Sequence, residues 1–277
     1  MKKIFFITAL LAVISVLLIC VFLFINGIPA IKQIGLTQFL TGRDWSPNDV
    51  PPSYGILPII LGSISVTTGA VLFGVPIGIL TSIFMAYYCS DKYYSFLKPA
   101  VELLAGIPSV VYGFFGLVIL VPFVRNVFGG NGNSILTASI LLGIMILPTI
   151  IGVSESAIRA VPGQYYKGAL ALGATHERAI FSVVLPAAKS GVIAAVVLGV
   201  GRAIGETMAV IMVAGNQARM PAGILKGVRT LTGNIVLEMG YAADLHRGAL
   251  IGTGVILFLF ILLINIAFYL LKRRADT

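Results

Sequence analysis

Few residues in this sequence could do chemistry, and two of them, Arg202 and Glu206, stand inside an apolar stretch. An arginine there offers a permanent charge and a planar fork of donors that suits an oxyanion. At the centre of a bilayer each charge costs at least roughly 2.5 to 3.5 kcal/mol on insertion scales, so neither side chain is expected to face lipid.

The spacing of Arg202 and Glu206 predicts an ion pair, because residues four apart share one face of a helix. Two interpretations follow from the residues. Arg202 contacts a translocated anion, and Glu206 holds the guanidinium when the path is empty; or the two side chains form a permanent ion pair between helices. Gly201 and Gly205 predict close approach of another helix on the neighbouring face, as do Gly74 with Gly78 and Gly248 with Gly252.

The composition determines which elements position these residues. The 277 residues are 58% hydrophobic and only 10% charged, with a mean hydropathy of +1.03. This predicts an all-α integral membrane protein and excludes a soluble enzyme or a disordered chain. The net charge is +9, and the basic residues stand at the edges of apolar runs. This position is typical of side chains that anchor a helix at lipid headgroups and not of a nucleic-acid surface.

Six stretches are long and apolar enough to cross a bilayer of about 30 Å. They are Ile4 to Ile25, Gly55 to about Tyr88, Leu103 to Val124, Ile135 to about Val153, Gly191 to Gly215 and Gly248 to Leu271. We divide the chain into an N-terminal helix with an extracytoplasmic segment (1–54) and a five-helix core (55–277). The core carries a cytoplasmic loop at about 155–189.

The distribution of lysine and arginine predicts that both termini are cytoplasmic. This topology places eleven cations inside: Lys2, Lys3, Lys92, Lys98, Arg159, Lys167, Arg178, Lys189, Lys272, Arg273 and Arg274. It places seven outside: Lys32, Arg43, Arg125, Arg219, Lys226, Arg229 and Arg247. The outer segment 216–247 has a small positive excess that could attract an anion or an acidic protein, or contact lipid headgroups. Trp45 and Tyr54 are typical of the membrane interface.

The sequence contains neither a GxxxxGK[ST] loop for ATP nor a GxGxxG loop for a dinucleotide. His176 and His246 fall on opposite sides of the predicted membrane, so they cannot share a metal. We therefore expect no catalytic activity, no cofactor and no metal in this chain.

The inner loop is predicted to fold as a helix-turn-helix. Pro162 and Gly163 interrupt the chain, Gly173 is suited to end a helix over 164–172, and Thr175 begins a second helix that is expected to end before Pro186. Ala169 and Gly173 form a strip of small residues that could lie close to a partner. An ordinary interfacial connector remains the alternative.

The spacing of Gly168-Ala169, Gly173 and Leu185-Pro186 resembles the EAA loop of the permeases of ABC importers. Lys167 stands where that family usually has glutamate, and Gly168 and Val183 also depart from its pattern. The resemblance implies a type I importer permease fold and docking of this loop on a separate ATPase. The implied contact residues are Lys167, Gly168, Ala169, Gly173, Ala174, Thr175, Leu185 and Pro186.

Four further stretches resemble the PstC family of phosphate-transport permeases: Trp45-Ser-Pro47, Tyr54 to Pro58, Leu104 to Gly116 and Gly201 to Ala209. This resemblance implies a substrate path through Arg202 and Glu206, in a cell-membrane permease for inorganic phosphate. The implied partners are a second permease similar to PstA, two ATP-binding subunits and an extracytoplasmic phosphate-binding protein. Alternatives are an importer permease for molybdate or sulfate, and an autonomous ion-coupled carrier or channel.

Overall fold

Long helices account for most of the chain in the computed structural model. It describes the backbone of residues 1–276 and the side chains of residues 1–268 and 270. Lys272, Arg273 and Arg274, which entered the topology prediction, lie outside the described side chains. In chain order the helices are α1 (Lys2–Ile34), α2 (Leu36–Thr41), α3 (Leu57–Ile83), α4 (Asp91–Gly106), α5 (Ser109–Phe115), α6 (Val121–Phe128), α7 (Ile135–Arg159), α8 (Gly163–Ala171), α9 (His176–Ala179), α10 (Leu185–Ala187), α11 (Lys189–Gly205), α12 (Met208–Val213), α13 (Leu231–Glu238) and α14 (Asp244–Asp276).

π-helical turns, which are wider than α-helical ones, join several of these helices into longer continuous helical segments. They cover Phe84–Tyr88 after α3, Gly116–Leu120 between α5 and α6, and Ile180–Val184 between α9 and α10. The only strands among the described residues, β1 (Trp45–Ser46) and β2 (Ser53–Tyr54), form a small antiparallel hairpin in which Trp45 lies opposite Tyr54.

Among the described residues, five continuous helical segments are long and apolar enough to cross a membrane: Lys2–Ile34, Leu57–Tyr88, Ser109–Phe128, Ile135–Arg159 and Asp244–Phe268. A sixth crossing is available if His176–Ala187 and Lys189–Gly205, which meet at a bend of 71°, are counted as one broken span. The six-span prediction agrees with this arrangement.

The prediction for the third span, Leu103 to Val124, was wrong in its boundaries. The helix α4 ends at Gly106, and the crossing begins at Ser109. Pro108 explains the interruption, because it lacks an N–H and disfavours helical backbone at the residue before it. Ile107 accordingly has extended backbone, with φ −69° and ψ 127°.

Contacts between small and large residues show how the crossings pair. The α1 and α14 helices are antiparallel, because Gly27 lies against Gly252 and Val255 while Ala30 lies against Gly248. Both termini therefore lie at one end of the bundle. We call that end the inner end, following the predicted topology, and the opposite end the outer end.

Helices α3 and α7 run side by side in the same direction. A Cβ added to Gly74 would lie 2.8 Å from Ile146, and one added to Gly78 would lie 2.7 Å from Ile150. The predicted close packing at Gly74 and Gly78, and at Gly248 and Gly252, is confirmed. The prediction for Gly201 and Gly205 was wrong within this chain, since no other described helix comes within 4 Å of a Cβ at either position.

Candidate functional site: the break after helix α11

The charged residues of the fifth crossing lie where its helix stops. The α11 helix ends at Gly205, and Glu206 has extended backbone, with φ −68° and ψ 134°. A second short helix, α12, starts at Met208. The prediction of one continuous span from Gly191 to Gly215 was therefore wrong, and the break separates Arg202 on α11 from Glu206 beyond its end.

The predicted ion pair between Arg202 and Glu206 is not formed. Among the described side chains, no carboxylate lies within ion-pair distance of the Arg202 guanidinium. Its Nη1 instead donates a hydrogen bond to the Thr149 hydroxyl of α7 over 3.3 Å. The helix ends between the two residues, so they no longer share a helical face.

Glu206 is used to cap the next helix. Its Oε1 accepts hydrogen bonds from the backbone N–H groups of Thr207 and Ala209, over 3.1 and 3.2 Å. A carboxylate at this place stabilises a helix start, because the first N–H groups have no partner within the helix. The carboxylate of Glu206 is thus engaged with the start of α12 and forms no ion pair with Arg202.

Helix α13 is hydrogen-bonded both to the break and to α3. The Thr232 hydroxyl donates to the backbone carbonyl of Glu206 over 3.0 Å. The backbone N–H of Leu231 donates to the Ser63 hydroxyl on α3 over 2.8 Å. The α13 helix therefore joins the break to α3, which packs along α7.

A buried carboxylate, Glu238, fixes the outer end of α13. Its Oε2 accepts hydrogen bonds from Trp45 Nε1 over 2.9 Å and from His246 Nε2 over 2.8 Å, and its Oε1 pairs with Arg229. The carboxylate can only accept, so His246 carries a proton on Nε2. Trp45 and Tyr54 are buried beside this carboxylate, so their side chains pack within the protein, and their place at the membrane interface stays a prediction.

A second buried carboxylate, Glu155, lies at the inner end of α7. It accepts hydrogen bonds from Lys98 over 2.6 Å and from Tyr94 over 2.8 Å, both on α4, and it pairs with Arg159. The hydrogen bond to Glu155 raises the pKa of Lys98 above its ordinary value of 10.5, and it also raises the pKa of Tyr94. Arg159 in turn donates to the carbonyl of Met85 over 2.7 Å, which links α3, α4 and α7.

The segment predicted to contact an ATPase projects from the inner end. The α8 helix has no buried residue, and Leu172 beyond it is 91% exposed. Gly173 has a φ of +86°, which suits glycine and turns the chain, and the Thr175 hydroxyl caps α9. The predicted helix-turn-helix is confirmed.

The end of that segment differs from the prediction. The helix does not stop before Pro186 but continues through α10 to Ala187, where the chain bends. Pro186 follows the π turn Ile180–Val184, a local widening of the helix that interrupts its regular hydrogen bonding. Of the eight residues assigned to the contact, Lys167, Gly168, Gly173, Thr175 and Pro186 are exposed, while Ala169, Ala174 and Leu185 are partly buried.

Together, the apolar crossings, the broken span and the projecting helix pair define a polytopic membrane permease. A family model described as "Binding-protein-dependent transport system inner membrane component" matches residues 78–277. The chain belongs to this family and is an ABC importer permease subunit of the inner membrane.

Curated relatives match over nearly the whole chain. The probable ABC transporter permease protein YqgH of Bacillus subtilis (strain 168) is 41% identical over 275 residues, which cover 96% of this chain and 88% of the relative. The phosphate transport system permease protein PstC of Mesorhizobium japonicum is 34% identical over 277 residues, covering 92% of this chain and 84% of the relative.

Solved structures show the same fold. An alginate ABC transporter bound to a periplasmic protein matches with a TM-score of 0.65 and 17% identity, covering 99% of this chain and 96% of that chain. An inward-facing MetNI methionine ABC transporter matches with a TM-score of 0.64 and 20% identity, covering 79% and 95%. At such identities the likeness concerns the fold alone.

Sequence reasoning missed the residues that support the break. Thr149 and Thr232 carry no charge and lie 53 and 30 residues from Arg202, so no spacing rule connects them to it. The cluster at Glu155 had a detectable signal: Tyr94 with Lys98, and Glu155 with Arg159, are each four residues apart on helices.

Proposed function

We propose that this chain is a permease subunit of an ATP-driven importer of inorganic phosphate, with Arg202 and Glu206 in the substrate path. The proposal depends mainly on the guanidinium of Arg202, which lies on a helix of the broken crossing. Its hydrogen-bond partner is one hydroxyl, and no carboxylate of the described side chains pairs with it.

The electrostatics at Arg202 favour an anion path over a permanent ion pair. A guanidinium cannot lose its charge at physiological pH, and a charge in a low-dielectric region needs a counter-charge. Since Glu206 is engaged in capping α12, the counter-charge would be a passing oxyanion. The planar fork of arginine suits two oxygens of a phosphate. The PstC relatives support phosphate as the substrate.

Coupling to ATP would run through residues 163–187. A permease of this family works with an ATPase and a substrate-binding protein, and the exposed α8 and Leu172 offer a surface for the first of these. ATP binding would draw the ATPase pair together, move these helices and open the crossings outward; hydrolysis would reset them. The partner permease would be similar to PstA, two ATP-binding subunits would act, and both termini would be cytoplasmic.

The test is phosphate uptake by vesicles that contain the assembled transporter. Arg202→Ala should abolish uptake without loss of assembly, and Arg202→Lys should recover only part of it, because lysine keeps the charge but lacks the two-donor fork. Normal uptake by an assembled Arg202→Ala variant would remove Arg202 from the path.

Substrate and energy source need separate controls. Competition by excess sulfate or molybdate would identify another oxyanion as the substrate. Uptake by the purified chain alone, without an ATPase, would instead identify an autonomous carrier.

A further inference from the structure

A polar cavity of about 500 Å³ opens at the outer end of this chain. Two loops line it: residues 129–133, between α6 and α7, and residues 215–227, which follow α12. The side chains that line it with hydrogen-bonding or charged groups are Asn131, Asn133, Gln217, Arg219 and Lys226.

The charge in this cavity has one sign. The sequence has no aspartate or glutamate between Glu102 and Glu155, nor between Glu206 and Glu238, so neither loop carries an acid. Arg219 and Lys226 are in no ion pair with any side chain that the structure describes. A concave site lined by one sign of charge concentrates counter-ions.

A buried amide group in the cavity also lacks a partner. The Oδ1 of Asn133 accepts no hydrogen bond, although it is shielded from solvent. Buried polar atoms are rarely left without a partner. Because this atom is closed off from solvent, it lies behind the surface of the cavity, and an anion in the cavity does not reach it.

Backbone hydrogen bonds hold the walls of the cavity in place. The N–H groups of Ile135 and Leu136, in the first turn of α7, donate to the carbonyls of Lys226 and Ile224 over 3.0 and 2.9 Å. The N–H of Ser134 donates to the carbonyl of Val213 over 3.1 Å. The arrangement around Arg219 and Lys226 therefore depends on a braced loop and not on a free one.

The cavity is connected to the break after α11 by a single short helix. Glu206 caps the start of α12, and Gly215, two residues beyond the end of α12, lines the cavity. Six helical residues span about 9 Å. An anion in the cavity would thus be held one short helix outward of Glu206.

We propose that this cavity is a subsite for a tetrahedral oxyanion, held by Arg219 and Lys226. The subsite rests on the proposed function in one respect: its position on the substrate path, outward of Arg202, assumes that this path exists. The oxyanion is either free inorganic phosphate or the phosphate of a lipid headgroup, because both present the same group to these donors.

The test measures equilibrium binding of radiolabelled inorganic phosphate to the full transporter in phosphatidylcholine nanodiscs, without its binding protein. All samples carry Arg202→Ala, which removes the contribution of the path. Adding Arg219→Gln with Lys226→Gln should weaken phosphate binding about tenfold or more, since charge-assisted hydrogen bonds are lost. Adding Arg125→Gln with Arg247→Gln is the matched control, because these cations are predicted at the same end but do not line the cavity.

Unchanged phosphate binding in the Arg219 and Lys226 variant would overturn the subsite. So would a result in which that variant loses affinity only for the binding protein, because the loops would then be a protein docking surface. The same measurement in nanodiscs with phosphatidylglycerol separates the two sources of the oxyanion. If the anionic lipid weakens phosphate binding by the Arg202→Ala transporter but not by the variant that also lacks Arg219 and Lys226, the lipid headgroup is the occupant. If the transporter takes up no phosphate but the variant still loses binding, the proposed function fails while the subsite stands.

Discussion

Thr232 donates a hydrogen bond from its hydroxyl to the backbone carbonyl of Glu206 over 3.0 Å. The two residues lie 26 positions apart, Thr232 on α13 and Glu206 directly after the end of α11, so this bond joins α13 to the break. It fixes the backbone of Glu206 at the point where a helical partner for its carbonyl is missing. Thr232 is therefore a positioning residue for the break in the fifth crossing.

Replacing Thr232 should test this positioning role. Thr232→Val keeps the shape of the side chain but leaves the Glu206 carbonyl without its donor, at a cost of about 1–3 kcal/mol if that group stays dry. We expect a severalfold loss of substrate uptake with little change in the amount of assembled protein. Thr232→Ser keeps the hydroxyl and should retain uptake; equal uptake by the valine variant would contradict the role.

Removing the charge of Glu238 should destabilise the outer end. Breaking a buried ion pair by neutralising one partner costs about 3–5 kcal/mol, because the other charge is left without compensation. Glu238→Gln is therefore expected to lower the Tm of the purified protein. Glu177→Gln, at an exposed position of α9, is the control and should leave the Tm unchanged. Matching Tm values for both variants would show that Arg229 finds another partner.

The cluster at Glu155 should respond to alkaline pH through Lys98. The folded protein raises the pKa of Lys98 by the hydrogen bond from its ammonium to Glu155. A raised pKa stabilises the fold fully below the ordinary value of 10.5, and this contribution is lost as the pH rises through the folded value.

Lys98→Met should therefore lower the Tm by a constant amount between about pH 6 and 9. The difference from the wild type should shrink above pH 10.5. Thermal unfolding measured across this range in detergent checks the prediction. A difference that varies strongly between about pH 6 and 9 would assign the stabilisation to another group.

The projecting helix pair should contribute to retention of the ATPase without contributing to the fold. Leu172 is 91% exposed, so Leu172→Asp costs no core packing but places a charge on the proposed contact. We expect less ATPase to co-purify with the variant, with an unchanged Tm for the permease. Lys92→Gln, at an exposed position of α4 outside residues 163–187, makes the same change in net charge and should have little effect. Full retention of the ATPase by Leu172→Asp would move the contact elsewhere.

The sequence by itself determined the class of protein and five of the six predicted crossings, while the sixth depends on counting two helices that meet at a bend of 71° as one span. Apolar length is a local property, because the bilayer sets the number of residues that a helix needs. The turn at Gly173 and the cap at Thr175 were equally readable, since both depend on residues within a few positions of each other. The spacing of small residues correctly predicted the packing of Gly74 and Gly78 against α7.

Only the tertiary structure decided how Arg202 and Glu206 are used. Their spacing favoured an ion pair, but that inference assumed a continuous helix, and the chain leaves the helix at Gly205. The groups that replace the predicted contact are Thr149 for Arg202, and the amides of α12 together with Thr232 for Glu206. Thr149 and Thr232 lie far away along the chain, and their hydroxyls are too common in sequences to identify a site.

The partners of the buried carboxylate Glu238 were likewise decided by the tertiary structure and not by the sequence. Trp45, Arg229, Glu238 and His246 meet only because the hairpin and α13 pack against α14. The cost of an uncompensated charge ensures that buried carboxylates find partners, but it does not say which ones. That choice depends on how the crossings are arranged around one another.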